Sequence, residues 1–128
     1  MKPFSHSWKS SSNRRKQRQY QRNAPLHIKR TFLNAALSKE LKKKHGKNNM
    51  MIHKGDKVKI MRGQFKKQIG MISRILTKKS KAIIEGIERG KKDGTKTFYP
   101  IHASNLELIE LDLEDPRRKK IFSRGAKK

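Results

Sequence analysis

With 35 lysines and arginines against 10 aspartates and glutamates, this chain cannot collapse into a compact body without crowding like charges together. A net charge of +25 on 128 residues makes sense if a polyanion neutralises it. Nucleic acid is the natural one, because neutralising phosphates releases their condensed counterions. Hydrophobic residues make up 32% of the chain, too few for a globule that spans all of it. The expected solution is a small packed core with solvated or partner-ordered extensions.

The charge is distributed to match. Residues 1–49 carry net +13, residues 50–113 net +7 with seven acidic residues, and residues 114–128 net +5. This predicts a basic N-terminal extension (1–49), a mixed-charge folded unit (50–113) and a basic C-terminal tail (114–128). Cysteine is absent, which excludes disulfides and thiolate metal sites. No apolar run approaches membrane-helix length and no signal-peptide pattern follows Met1, so a cytosolic chain without membrane contact is expected.

Along the chain, residues 1–25 show no apolar period, so disorder is expected there when the protein is free. Asn13 to Arg22 is a dense cationic stretch suited to tracking a phosphate backbone, with Tyr20 available to stack on a base. Residues 26–33 read as a short helix with Ile28, Phe32 and Leu33 on one side. Ser38 is placed to cap a second helix, Lys39–His45, with Gly46 as its left-handed stop. From Met50 the period changes to two. Strands are predicted around Val58 and Ile60, over 69–76, over 81–85, over 95–99 and over 105–110, with Asp93-Gly94 as a turn. Gly70, inside a strand, signals a bulge or a close backbone approach. Five short strands over about sixty residues predict a mainly β fold, a small barrel rather than an open sheet. After the Asp115-Pro116 break, Ile121 and Phe122 are candidates to anchor a short tail helix.

The segment Gly55-Asp56-Lys57-Val58-Lys59-Ile60, followed by Arg62-Gly63-Gln64-Phe65-Lys66-Lys67-Gln68-Ile69-Gly70-Met71-Ile72, resembles a KOW motif. That resemblance implies an SH3-like barrel of five strands. Three flanking segments narrow the host: Asn23-Ala24-Pro25-Leu26-His27-Ile28-Lys29-Arg30 with Leu37-Ser38-Lys39-Glu40-Leu41, Phe98 to Leu106, and Leu111 to Lys120. Together they resemble the large-subunit ribosomal proteins of the universal twenty-four family, eukaryotic protein twenty-six, in the archaeal and eukaryotic branch. The likeness covers residues 14–122, and its tail is closest to archaeal members. Lys67 stands where the family usually has Gly, and Ala36 and Ala103 stand where it often has Pro.

The resemblance implies a structural protein that binds the 5′ portion of the large-subunit rRNA early in assembly, near the polypeptide exit tunnel, beside neighbouring ribosomal proteins. It implies Arg14, Arg15, Lys16, Arg18, Arg22, His27, Lys29, Arg30, Arg62, Lys66 and Lys67 as RNA contacts. Gly63 and Gly70 would shape the motif loop, and Arg117, Arg118 and Lys119 would add contacts from the tail. No cofactor, metal or homo-oligomer is expected.

An enzyme is not expected. His6, His27, His45, His53 and His102 are scattered without metal-ligand spacing. Asp56 is better placed to cap a turn or pair with a nearby lysine than to act as a base. No glycine-rich phosphate-cradling loop occurs. Two non-enzymatic alternatives share the composition. A transcription elongation KOW module would lack the flanking segments, and a general DNA-compacting protein would not need an intact barrel.

Overall fold

The computed structural model describes residues 4–124. Its architecture is sheet-rich, with four helices at the periphery. Helix α1 (Arg14–Asn23) and helix α2 (Leu26–Thr31) lead into strand β1 (Asn34–Leu37), helix α3 (Lys39–His45) and strand β2 (Asn49–Met51). Strands β3 (Lys57–Ile60), β4 (Ile69–Leu76) and β5 (Lys81–Ile84) follow. Then come β6 (Glu88–Gly90), β7 (Lys96–Phe98), β8 (Ile101–His102) and β9 (Leu106–Glu110), and helix α4 (Pro116–Ser123) ends the fold.

Seven strands form one sheet in the order β2-β1-β9-β3-β4-β5-β8. All its pairings are antiparallel except that of β1 with β9. Strands β8 and β9 are four strand spacings apart in this order, roughly 19 Å if the sheet were flat. A 3-10 turn of three residues, Ala103–Asn105, nonetheless connects them. So short a link cannot span that distance, and the sheet must curl back on itself. The turn is held at both ends: Met61 N–H donates to the Asn105 carbonyl at 2.8 Å, extending the β3–β9 ladder, and buried Ala103 donates its N–H to the Ser80 carbonyl at 3.2 Å, beside β5. The sheet is not closed by hydrogen bonds, however, and there are nine strands among the described residues rather than the five expected of a barrel.

Alternation of buried and exposed residues builds the core. Val58 and Ile60 of β3, Ala82 and Ile84 of β5, and Leu106 and Leu108 of β9 point inward and are 0–1% exposed. Ile72 and Ile101 complete the centre. Ala35 and Leu37 of β1 and Met50 of β2 extend it. The β1 strand lies in the stretch expected to be extension. Asn-Ala-Ala-Leu carries no β-branched or aromatic residue, so nothing local marks it as a strand. It forms because Ala35 and Leu37 are buried and because β9 offers a free edge. Helix α3 matches its expected bounds: the Ser38 hydroxyl accepts from Leu41 N–H, and Gly46 adopts φ +63°. The predicted loop after Gly86 is partly ordered differently. Glu88–Gly90 and Lys96–Phe98 pair as a separate hairpin whose residues are all exposed, turning at Asp93-Gly94.

Candidate nucleic-acid interface

The structure gathers the candidate residues into three groups. The first is α1, where no apolar period exists but a polar one does. Asn13 caps the helix, its side chain accepting from Arg15 N–H at 2.9 Å. On the inner side Gln17 donates to the carbonyls of Trp8, Lys9 and Ser11. Tyr20 is buried between the rings of Phe4 and Phe32, at 5.0 and 6.2 Å. The expectation of a disordered stretch with Tyr20 free to stack on a base is therefore corrected. Strong helix formers and one aromatic anchor suffice where hydrophobic periodicity is silent.

The same packing turns Arg14, Arg15, Arg18 and Arg22 outward. Arg15, Arg18 and Arg22, three and four residues apart, line one open groove with Gln19 and Asn23. Lys16 lies 5.9 Å from the Trp8 ring centre, a cation–π arrangement. In α2, His27 and Arg30 are exposed, whereas the Lys29 ammonium donates to the Arg22 carbonyl at 3.0 Å and is partly committed to holding the α1 terminus.

The second group is the loop between β3 and β4. Lys67 N–H donates to the Ile60 carbonyl at 2.8 Å, and Ile60 N–H to the Gln68 carbonyl at 2.9 Å, so the loop is cinched at its base. Gly63 takes φ +96° with open space around it, so its conformation rather than crowding requires glycine. Gly70 is the reverse case. A Cβ there would meet Ile84 Cγ2 at 2.6 Å and the Glu85 carbonyl oxygen at 2.8 Å. The close approach read from sequence exists, but it is to the neighbouring β5 strand. Phe65 turns inward onto Tyr99, ring centres 5.3 Å apart, and leaves Arg62, Lys66 and Lys67 exposed. Lys81, Tyr99 and His102 join Arg62 around an adjacent cleft. Sequence reasoning does not nominate Lys81, because only the β5–β8 register brings it there.

The third group is the tail. Asp115 caps α4, accepting from Arg117 N–H at 2.8 Å, and Pro116 occupies the first turn. Arg117 and Lys119 are exposed. Arg118 is not: it is 2% exposed and makes a bidentate pair with Asp56, which is fully buried, at 2.5 and 2.7 Å. The expectation that Arg118 contacts RNA is corrected, since one helical step rotates it to the inner face. Asp56 also accepts from the N–H groups of His53 and Asp112, so it does cap the turn before β3, but its cationic partner is this distant arginine and no lysine. Arg118 donates further to the carbonyls of Asp112 and Met51. Phe122 then stacks on His45 at 4.1 Å, and the Lys47 ammonium donates to the Ile121 carbonyl, fastening α4 to α3. Burial, and secondarily Lys44, holds the His45 imidazole below its ordinary value of 6.5.

Ion pairs among the described residues are Lys57–Glu110, Lys96–Glu88 and Arg118–Asp56. Among the described residues the other lysines and arginines have no carboxylate partner, and most of them are exposed. The family model for the ribosomal proteins named L26 in eukaryotes and numbered twenty-four in archaea matches residues 11–125, which takes in α1, the β3–β4 loop and α4. The chain belongs to this family of ribosomal proteins, eukaryotic twenty-six and archaeal twenty-four, and is with it a structural constituent of the large ribosomal subunit in the cytoplasm rather than an enzyme.

Proposed function

We propose that the chain binds the 5′ domain of the large-subunit rRNA, acts early in subunit assembly and lies near the exit of the polypeptide tunnel. The observation that carries the RNA-binding reading is the surplus of uncompensated, outward-facing cations on ordered elements. Arg15, Arg18 and Arg22 share one helix face, and Arg62, Lys66 and Lys67 share one cinched loop. Arginines on a fixed helix give bidentate phosphate contacts in a set register, and lysines at the loop add point charges. Arg14, Lys16, His27, Lys29, Arg30, Arg117 and Lys119 extend the footprint.

In this reading β3, β4, β5, β8 and β9 are an SH3-like KOW unit. Residues 1–49 and 114–128 are basic extensions laid around it. The extension works as a pre-shaped cationic helix that seats between RNA helices and screens their mutual repulsion, so specificity comes from RNA shape.

Binding of the purified protein to a 5′-domain rRNA fragment, titrated against salt with duplex DNA as competitor, tests this. Tight binding that survives the DNA is expected, with a slope of roughly −0.7 to −0.9 per phosphate contact. Equal affinity for DNA at the same slope would leave charge as the whole explanation and overturn the rRNA reading.

A further inference from the structure

A cavity of about 390 Å³ opens between the end of α2, the β1–β2 ribbon and α4. That is within the roughly 300–1,000 Å³ of small-molecule sites. The ribbon's register sets Asn34 opposite Met51 and Ala36 opposite Asn49, so Asn34, Asn49 and Met51 share its outer face. All three line the cavity, together with Ile121, Arg30 and His53. Buried Arg118 is also in the wall, and its Nε has no hydrogen-bond partner among the described residues.

These parts have one chemistry in common. Met51 and Ile121 offer a polarizable, apolar surface for a flat ring. Asn34 and Asn49 are exposed and line the cavity, and neither side chain makes a hydrogen bond among the described residues. Each amide carries a donor beside an acceptor, the arrangement that matches the N6/N7 edge of adenine. Arg30, at the exposed end of α2, supplies a cation for a phosphate.

We propose that this cavity captures a single unstacked nucleotide of RNA, adenosine in preference to a pyrimidine, with the base between Met51 and Ile121, its edge on Asn34 and Asn49, and its phosphate on Arg30. The proposal rests on the RNA-binding reading above. It adds a base-reading site to a surface otherwise fitted to backbone and shape. Bases splayed out of loops and bulges are what single-strand RNA readers take.

The test is an NMR titration of the full chain with adenosine 5′-monophosphate, uridine 5′-monophosphate and inorganic phosphate. The expected result is that the adenosine nucleotide shifts the Asn34 and Asn49 side-chain amides and the Met51 methyl. The uridine nucleotide should do so several-fold more weakly, and phosphate should not move the methyl. Asn34→Ala/Asn49→Ala should weaken adenosine nucleotide binding about tenfold. Both positions are solvent-facing, and Arg30→Gln on the α2 surface serves as a second variant should the double one misfold. Unmoved amides, an identical pattern with phosphate alone, or full affinity in the variants would overturn the proposal. Retained binding of the rRNA fragment in that case would remove the nucleotide site and leave the broader reading standing. A nucleotide response with no rRNA binding would do the opposite.

Discussion

Lys67 sits at φ +73°, a left-handed conformation in which its Cβ crowds the backbone. The strain is visible only in the structure, but its cause is legible in sequence as a missing permissive residue. Lys67→Gly should raise the unfolding free energy by about 0.5–1 kcal/mol, the relief of the left-handed conformation less the extra chain entropy of glycine. The same change should flatten the salt dependence of rRNA binding by about one phosphate contact. Urea denaturation and a salt titration read the two effects, and a loss of stability would show that the loop depends on the lysine side chain. Arg118 makes the opposite point. In Arg117-Arg118-Lys119-Lys120 nothing distinguishes one cation from the next until burial assigns Arg118 to Asp56. Arg118→Met strands a buried carboxylate and should cost about 3–5 kcal/mol, while Asp56→Asn/Arg118→Met should recover part of that. Exposed Arg117→Ala should stay within about 0.5 kcal/mol. Comparable losses for Arg117 and Arg118 in denaturant melts would contradict the assignment.

Among the elements, legibility follows the kind of signal each carries. Helix α3 is readable to its caps because Ser38 and Gly46 announce both ends locally. Strands β3, β4, β5 and β9 are readable because alternation survives in Val58-Ile60 and Leu106-Leu108. Strand β1 is not, since Ala35 and Leu37 become strand residues only through β9, and α1 is not, since its order rests on Gln17 and Tyr20. The candidate interface divides in the same way. Cationic residue types name most of it, but which of them face outward is set by packing. For α1 the consequence can be measured. Replacing Arg15, Arg18 and Arg22 together by Gln keeps good helix formers and should leave the far-ultraviolet dichroism unchanged. The log–log salt slope for rRNA should shrink by about 2–3. An unchanged slope would remove this face from the footprint.

At the scale of the whole molecule, the basic segments on either side of the core are tied to the sheet, since β1 pairs with β9 and α4 is fastened through Asp56, His45 and Lys47. One of these fastenings titrates. Because the folded His45 imidazole holds its proton less tightly than the unfolded one, the unfolded chain binds more protons at mildly acidic pH. Its contribution is intact above 6.5 and declines as pH falls from there toward the lower folded value. The thermal midpoint should therefore drop slightly more between pH 7.5 and 5.5 in the native chain than in His45→Phe, with Lys44 and Lys47 as the neighbouring charges. Identical drops would dismiss the effect. The position of β9 has a consequence in time as well. This strand lies between β1 and β3, yet it comes after all the other described strands in the chain, and Arg118 joins Asp56 across 62 residues. During vectorial synthesis the cationic N-terminal segment emerges long before its sheet partner exists. Such long-range closure is slow. Docking of the cationic N-terminal segment onto the sheet must therefore wait for β9, which makes it a late step of folding.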